Sequence, residues 1–205
     1  MENKKFNGNF NILDTIDISN IKKILLNNIN KFCEANNIEN NIQDIKRVNT
    51  NNSPHTHVKH LTFFFDSKEF NRTIIKPYNQ DILPLLLNDL NNITNIVHKY
   101  YNNNNLIIGR CLATNLKSNS IISKHRDGGN IVLLNGHRLH IPIITNKLVS
   151  FSVGNETKIL QEGTIYEINN LRQHSVENNS NEDRLHLIID YIEPDILNNT
   201  SKLRT

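Results

Sequence analysis

The chain has 205 residues, enough for one domain and too few for two ordinary ones. Its 37% hydrophobic and 21% charged residues exclude a wholly disordered protein, and a net charge of +3 without any Lys/Arg block argues against a nucleic-acid partner. No apolar stretch reaches the length of a membrane span, and the N-terminus lacks the apolar region of a secretion signal. We therefore expect a cytoplasmic or otherwise intracellular protein with no membrane partner.

The first half of the chain predicts two helices and one strand. Apolar residues recur at three- and four-residue steps over Asp17–Asn36 and again over Gln80–Tyr101, which is the spacing of an amphipathic helix. Between them, Lys59–Asp66 is rich in Phe and predicts a strand. We expect residues 1–105 to form a helical and mixed lead-in that packs on the rest of a single domain, residues 1–205.

The second half predicts a different kind of structure. Short β-branched segments alternate with turn residues at spacings of about ten, and no helical segment is long enough for a crossover between parallel strands. This pattern favours a mainly β fold, a jelly roll backed by helices, with residues 106–192 as its core and 193–205 as a tail. The predicted strands are Leu106–Leu116, Ser120–Lys124, Arg138–Thr145, Leu148–Val153, Thr157–Leu160, Thr164–Ile168, Gln173–Glu177 and Arg184–Tyr191.

A metal site is predicted in this β half. His125 and Asp127 are two residues apart, so in an extended segment both side chains leave the chain on the same face. His174, in a later predicted strand, is the natural third group. Two histidines and one carboxylate on one face of iron form the facial triad, which leaves the other coordination positions open. We therefore expect these three residues to be the catalytic metal ligands.

Arg184 opens a predicted strand whose other members are mostly apolar, so its guanidinium is expected to be buried. A buried cation requires a partner. A carboxylate of 2-oxoglutarate suits this role, because a guanidinium can hold it through two hydrogen bonds. Arg138 and His140 form a same-face pair in an earlier strand and offer a second cationic group for the other end of such a dicarboxylate.

Together these motifs resemble the aspartyl/asparaginyl β-hydroxylase family of iron(II)- and 2-oxoglutarate-dependent oxygenases. The resemblance extends over Arg110–Tyr191 and implies a double-stranded β-helix of the jelly-roll, cupin-like type, with N-terminal and supporting helices. The motifs that carry it are Ile122–Gly128, Arg138–Asn146, Glu162–Asn170, His174–Asn178 and Arg184–Asp190.

The resemblance implies Fe(II) and 2-oxoglutarate as cofactors, with the three predicted ligands holding the iron. Arg184 would bind the distal carboxylate of 2-oxoglutarate, with Thr114 as a hydroxyl partner. Arg138 and His140 would face the end of the co-substrate that chelates iron. The implied reaction consumes dioxygen and hydroxylates a C–H of an aspartyl/asparaginyl-type residue in a peptide or protein, or of a free amino acid, with release of succinate and CO2.

Two other interpretations stay open at this point. A cupin-type metalloenzyme that does not use 2-oxoglutarate would keep the metal ligands and leave the two cationic groups unexplained. A non-catalytic jelly-roll binding module would leave the ligands themselves unexplained. The four histidines that precede the β half, His55, His57, His60 and His98, match no motif in the sequence and are interpreted as incidental.

Overall fold

The computed structural model describes residues 6–34, 54–69 and 72–197. Within these ranges the chain forms strands and a few helices. The strands are β1 (Phe10–Thr15), β2 (Cys33–Glu34), β3 (Val58–Glu69), β4 (Arg72–Pro77), β5 (Ile107–Leu116), β6 (Ser120–His125), β7 (His137–Ile144), β8 (Val149–Val153), β9 (Glu156–Lys158), β10 (Thr164–Ile168), β11 (His174–Asn178) and β12 (Arg184–Ile192). The helices are α1 (Ser19–Asn27), α2 (Leu83–Tyr101), α3 (Ile131–Asn135) and α4 (Pro194–Leu197).

The strands pair into two antiparallel sheets. The large sheet has the order β1-β10-β7-β12-β5-β3-β2, with β4 paired to β3, and the small sheet has the order β6-β11-β8-β9. Neighbours along the chain are often not neighbours in the sheet, which is the connectivity of a jelly roll rather than of a meander. The predicted mainly β, jelly-roll fold is confirmed.

The main hydrophobic core lies between the large sheet and the helices α1 and α2. Along β12 the alternate residues Leu185, Leu187 and Ile189 face this core, and each is at most 1% exposed. The amphipathic face of α2 covers them, with Leu86, Leu90, Ile93 and Val97 all buried. Burying each such side chain contributes about 1.5–3 kcal/mol, so this face of the sheet is a rigid support.

The opposite face of the large sheet looks toward the small sheet. A second buried cluster joins the two sheets and includes Leu116 and Tyr166 from the large sheet and Phe151 and Val176 from the small one. Strand alternation places the even-numbered residues of β12, beginning with Arg184, on this inner face. Polar side chains therefore share the inter-sheet space with an apolar cluster.

One expectation from the sequence differs from the structure. The helix expected over Asp17–Asn36 ends at Asn27, and a short 3₁₀ turn over Ile29–Lys31 and strand β2 follow it, while residues 35 and 36 lie outside the described residues. Asparagines near this point are poor helix formers, and pairing of β2 with β3 competes with helix continuation.

The lead-in also contributes strands. β1, β2 and β3 are members of the large sheet and β4 pairs with β3, so residues before 106 form part of the sheet as well as the helices packed on it. The division of the domain at residues 105 and 192 stays a prediction. Among the described residues, no helix is both long enough and apolar enough to cross a bilayer.

Candidate active site

His125, Asp127 and His174 converge on one point between the sheets. One ligand atom from each lies within 4.8 Å of the others. Nε2 of His125 is 3.7 Å from Oδ1 of Asp127, and Nε2 of His174 is 3.7 Å from Oδ2 of the same carboxylate. Two imidazole nitrogens and a carboxylate oxygen on one side of a point are a donor set that suits Fe(II).

Adjacent strands of the small sheet position the two histidines. His125 in β6 and His174 in β11 are cross-strand partners, with ring centroids 4.3 Å apart. Nδ1 of His125 lies 2.7 Å from the carbonyl of Ser123, and Nδ1 of His174 lies 3.0 Å from the carbonyl of Arg172. If each Nδ1–H donates to its carbonyl, both Nε2 lone pairs point into the site, ready to bind a cation.

Asp127 reaches the site from a loop. β6 ends at His125, so loop geometry rather than strand alternation brings the carboxylate beside the histidines. Its backbone N–H donates to the carbonyl of Asn170 at 3.1 Å. Burial alone would raise the pKa of Asp127, but the nearby Arg138 guanidinium and the two histidines hold this pKa below its usual range. The carboxylate is therefore ionised near neutral pH.

Arg138 lies between two carboxylates. Its Nη1 donates to Oδ2 of Asp127 at 2.5 Å. Its Nε and Nη2 donate to Oδ1 and Oδ2 of Asp190, each at 2.8 Å, which is the bidentate geometry of a strong ion pair. Three of the five guanidinium N–H groups are used in these contacts.

Arg184 differs from Arg138 because it has no carboxylate partner among the described residues. It is 2% exposed, and its Nη2 lies 2.6 Å from Nδ1 of His186 while its Nε has no hydrogen-bond partner in the described part of the chain. Burial lowers the pKa of Arg184 to about 9, which leaves the guanidinium charged at neutral pH. Thr114, which lines the same pocket, also has an unpartnered buried hydroxyl within the described ranges.

His140 adds a neutral imidazole to the pocket wall. It is 5% exposed, and neither ring nitrogen finds a hydrogen-bond partner in residues 6–34, 54–69 and 72–197. Burial, and then the charges of Arg138 and Arg184, lower the pKa of His140 well below its ordinary value. Burial also lowers the pKa of His174, against the opposing effect of Asp127.

Apolar side chains complete the pocket that these polar groups enter. They come from both sheets, so the pocket is bounded by hydrocarbon on several sides. The apolar lining residues include Val58, Leu112, Ile122, Phe151, Val176 and Ile188.

The structure places all seven predicted site residues on this pocket and adds three that sequence reasoning missed. His55 and His60 line it, and the His55 ring is 4.9 Å from the His125 ring. Arg110 also lines it, ion-paired with Asp66. His60 precedes the buried Leu61 in a strand, so its side chain leaves the strand on the other face, and this is the sequence signal for it. Only the pairing of β3 with β5 shows that this other face lines the pocket.

A family model described as aspartyl/asparaginyl beta-hydroxylase matches residues 33–194, most of the chain. The chain belongs to this family. The resemblance carried by the sequence motifs is thereby confirmed, and the family is one of Fe(II)- and 2-oxoglutarate-dependent hydroxylases. No curated protein matches the chain.

Solved structures share the fold at low sequence identity. An oxidoreductase of the 2OG-Fe(II) oxygenase family from Burkholderia pseudomallei is 15% identical with a TM-score of 0.52, the match covering 66% of each chain, so this chain spans just under two thirds of that protein. A Trichoplax adhaerens prolyl hydroxylase, solved with a hypoxia inducible factor peptide fragment, is 10% identical over 93% of this chain and 86% of its own, with a TM-score of 0.57. A collagen prolyl hydroxylase of Paramecium bursaria Chlorella virus-1, solved with 2-oxoglutarate, is 9% identical over 90% of this chain and 96% of its own, with a TM-score of 0.50.

Proposed function

We propose that this chain is an Fe(II)- and 2-oxoglutarate-dependent dioxygenase. It would hydroxylate a C–H of an aspartyl/asparaginyl-type residue or of a free amino acid and release succinate and CO2. The observation that carries the proposal is a His-Asp-His cluster in one pocket with a buried guanidinium, that of Arg184, which has no carboxylate partner among the described residues.

The donor set fits the metal. His125, Asp127 and His174 would hold Fe(II) through two neutral imidazoles and one ionised carboxylate, which leaves three positions of an octahedral ion open. The bound iron and keto acid supply the oxidising chemistry, which no side chain can provide.

The polar groups without partners fit the co-substrate. Arg184 would donate to the distal carboxylate of 2-oxoglutarate, and the Thr114 hydroxyl would add a further hydrogen bond. His140 and the two remaining N–H groups of Arg138 would face the chelating end. Binding would thus satisfy buried polar atoms that have no hydrogen-bond partner within the described ranges, which removes a cost of the ligand-free protein.

The apolar walls would keep water away from the reacting C–H. They also leave substrate selection to other side chains of the pocket wall, which include His55, His60 and Arg110. The family name supports an aspartyl or asparaginyl side chain, or the corresponding free amino acid, as the first class of substrate to test.

The test measures metal binding, 2-oxoglutarate binding and succinate release in the wild type and in His174→Ala. The variant should fold, since metal ligands are not needed to build a core of this size, and should lose metal binding and turnover. His57→Ala removes an exposed histidine outside the pocket and should keep all three activities. Metal binding without 2-oxoglutarate binding would favour the cupin-type metalloenzyme, and binding of neither would favour a non-catalytic module.

A further inference from the structure

The Asp127 carboxylate is held at the end of a chain of charged contacts. Asp190 is 1% exposed and binds the Arg138 guanidinium through both oxygens, and Arg138 in turn donates to Asp127. All three groups are at least largely buried, so solvent screens these contacts weakly.

The two ends of this series of contacts lie in different backbone settings. Asp190 and Arg138 are directly paired residues of the adjacent central strands β12 and β7. Asp127 lies in the loop that follows β6, where no strand pairing fixes its side-chain rotation. The orientation of the Asp127 carboxylate therefore depends on what its oxygens contact.

Those oxygens are not equivalent. Each oxygen of Asp127 faces one histidine at 3.7 Å, Oδ1 facing Nε2 of His125 and Oδ2 facing Nε2 of His174, but only Oδ2 also accepts a hydrogen bond from Arg138. A carboxylate with one oxygen committed to a guanidinium has one oxygen better placed to bind a metal.

We propose that Asp190, acting through Arg138, is a positioning residue that fixes the orientation of the Asp127 carboxylate as a metal ligand. This inference rests on the proposed function, because it concerns the same metal site. Groups that orient metal ligands without touching the metal change metal affinity by about 10–100-fold when they are removed. Asp190 contacts Arg138 and not Asp127 itself. It still influences the orientation of Asp127, because the two hydrogen bonds from Arg138 to Asp190 fix the guanidinium that donates to Asp127.

The first test compares Asp190→Asn with Asp66→Asn by titrating each purified protein with Ni²⁺, which binds nitrogen and oxygen sites more tightly than Fe²⁺. Asp190→Asn should weaken Ni²⁺ binding by about tenfold or more. Asp66→Asn makes the same chemical change in the other buried arginine pair of the pocket, that of Arg110, and should change the affinity less than about twofold. Equal effects of the two variants would overturn the proposal.

A double-mutant cycle separates positioning from general damage. In the Asp127→Ala background there is no carboxylate to orient, so adding Asp190→Asn should have no further effect on Ni²⁺ affinity. Additive losses would mean that Asp190 acts on the fold and not on Asp127. If Asp190→Asn does not fold, Arg138→Lys replaces it, since a lysine cannot bridge both carboxylates and should give the same non-additive loss.

The wild type distinguishes this inference from the proposed function. Absence of Ni²⁺ binding by the wild-type protein would remove both. Wild-type binding that is lost in His174→Ala, together with an unchanged affinity in Asp190→Asn, would leave the metal site in place and remove only the role of Asp190.

Discussion

Among the described residues, three arginines line the pocket, and they differ in their ion-pair partners. Arg110 pairs with Asp66, and Arg138 pairs with Asp127 and Asp190. Arg184 contacts the His186 imidazole and has no carboxylate partner in the part of the chain that the structure describes. A buried charge without a counter-charge destabilises the folded state, so the ligand-free protein carries a cost at Arg184 that a bound carboxylate would offset.

Arg184→Met should therefore raise stability and lower co-substrate affinity together. Removing the unpaired buried charge should stabilise the ligand-free protein by about 1–4 kcal/mol, seen as a higher Tm in a thermal melt. The same variant should bind 2-oxoglutarate about two to four orders of magnitude more weakly by calorimetry, since a buried partner for a carboxylate is worth about 3–5 kcal/mol.

Arg110→Met is the matched comparison, because it leaves Asp66 buried without its cation. Arg110→Met should lower the Tm, whereas Arg184→Met, the same arginine-to-methionine change, should raise it. A lower Tm in Arg184→Met would contradict the interpretation of Arg184 as an uncompensated charge.

The pKa of His174 should respond to the charge of Asp127. Burial lowers the pKa of the ring, and the neighbouring Asp127 carboxylate raises it again in part. Removing the negative charge in Asp127→Asn should therefore move the His174 pKa further down, which an NMR titration of the imidazole in metal-free protein would detect. Asp66→Asn should leave the His174 pKa unchanged, and an upward shift in Asp127→Asn would contradict the assignment.

At the scale of the elements, the end of helix α2 shows what the abundant asparagines can do. Asn102 caps the helix with a φ of 48°, in the left-handed region, and its backbone N–H donates to the carbonyl of Lys99 at 3.3 Å. Asparagine tolerates this conformation better than other residues with a side chain, and glycine tolerates it best. The composition therefore supplies suitable caps and turns without a dedicated glycine.

Substitutions at this cap should follow backbone preference. Asn102→Val should lower the free energy of unfolding by about 1–2 kcal/mol, because a β-branched residue is strained in the left-handed region. Asn102→Gly should leave stability unchanged or raise it slightly. Denaturant titration of both variants checks this, and a Val variant as stable as the Gly variant would contradict it, since the side chain is exposed and makes no compensating burial.

For the whole molecule, strand β1 closes one edge of the large sheet. β1 pairs along β10, whose five residues are all buried. The segment before β1 contacts the loop between β10 and β11, where Arg172 donates a hydrogen bond to the Asn9 side chain at 2.9 Å. Without β1, the edge of a buried strand would be open to pairing with another molecule.

Deletion of residues 1–16 should therefore lower the Tm and promote association, because the exposed edge of β10 offers unpaired backbone groups. Size-exclusion chromatography with light scattering would measure the association. Deletion of residues 1–5 alone keeps β1 and should behave as the full chain does. A monomeric deletion with the full-length Tm would show that β1 is dispensable.

Local patterns in the sequence predicted much of this architecture. The short β-branched segments after residue 105, separated by turn residues about every ten positions, predicted the strands, since strands are short and end at turns. The helical spacing over Gln80–Tyr101 predicted α2, which begins at Leu83. The pairing of His125 with Asp127 and the charge of Arg184 in an apolar strand marked the site residues, because a buried charge in such a context needs a partner.

Tertiary structure decided what local spacing does not contain. Which strands become neighbours depends on long-range pairing, so the sequence did not show that β3 brings His60 to the pocket or that β12 sets Asp190 against Arg138. The early end of α1 has the same cause, since pairing of β2 with β3 outweighs a weak helical preference. The amino-acid sequence thus determined the chemical groups and the class of fold, and the packing of the sheets decided which of those groups meet.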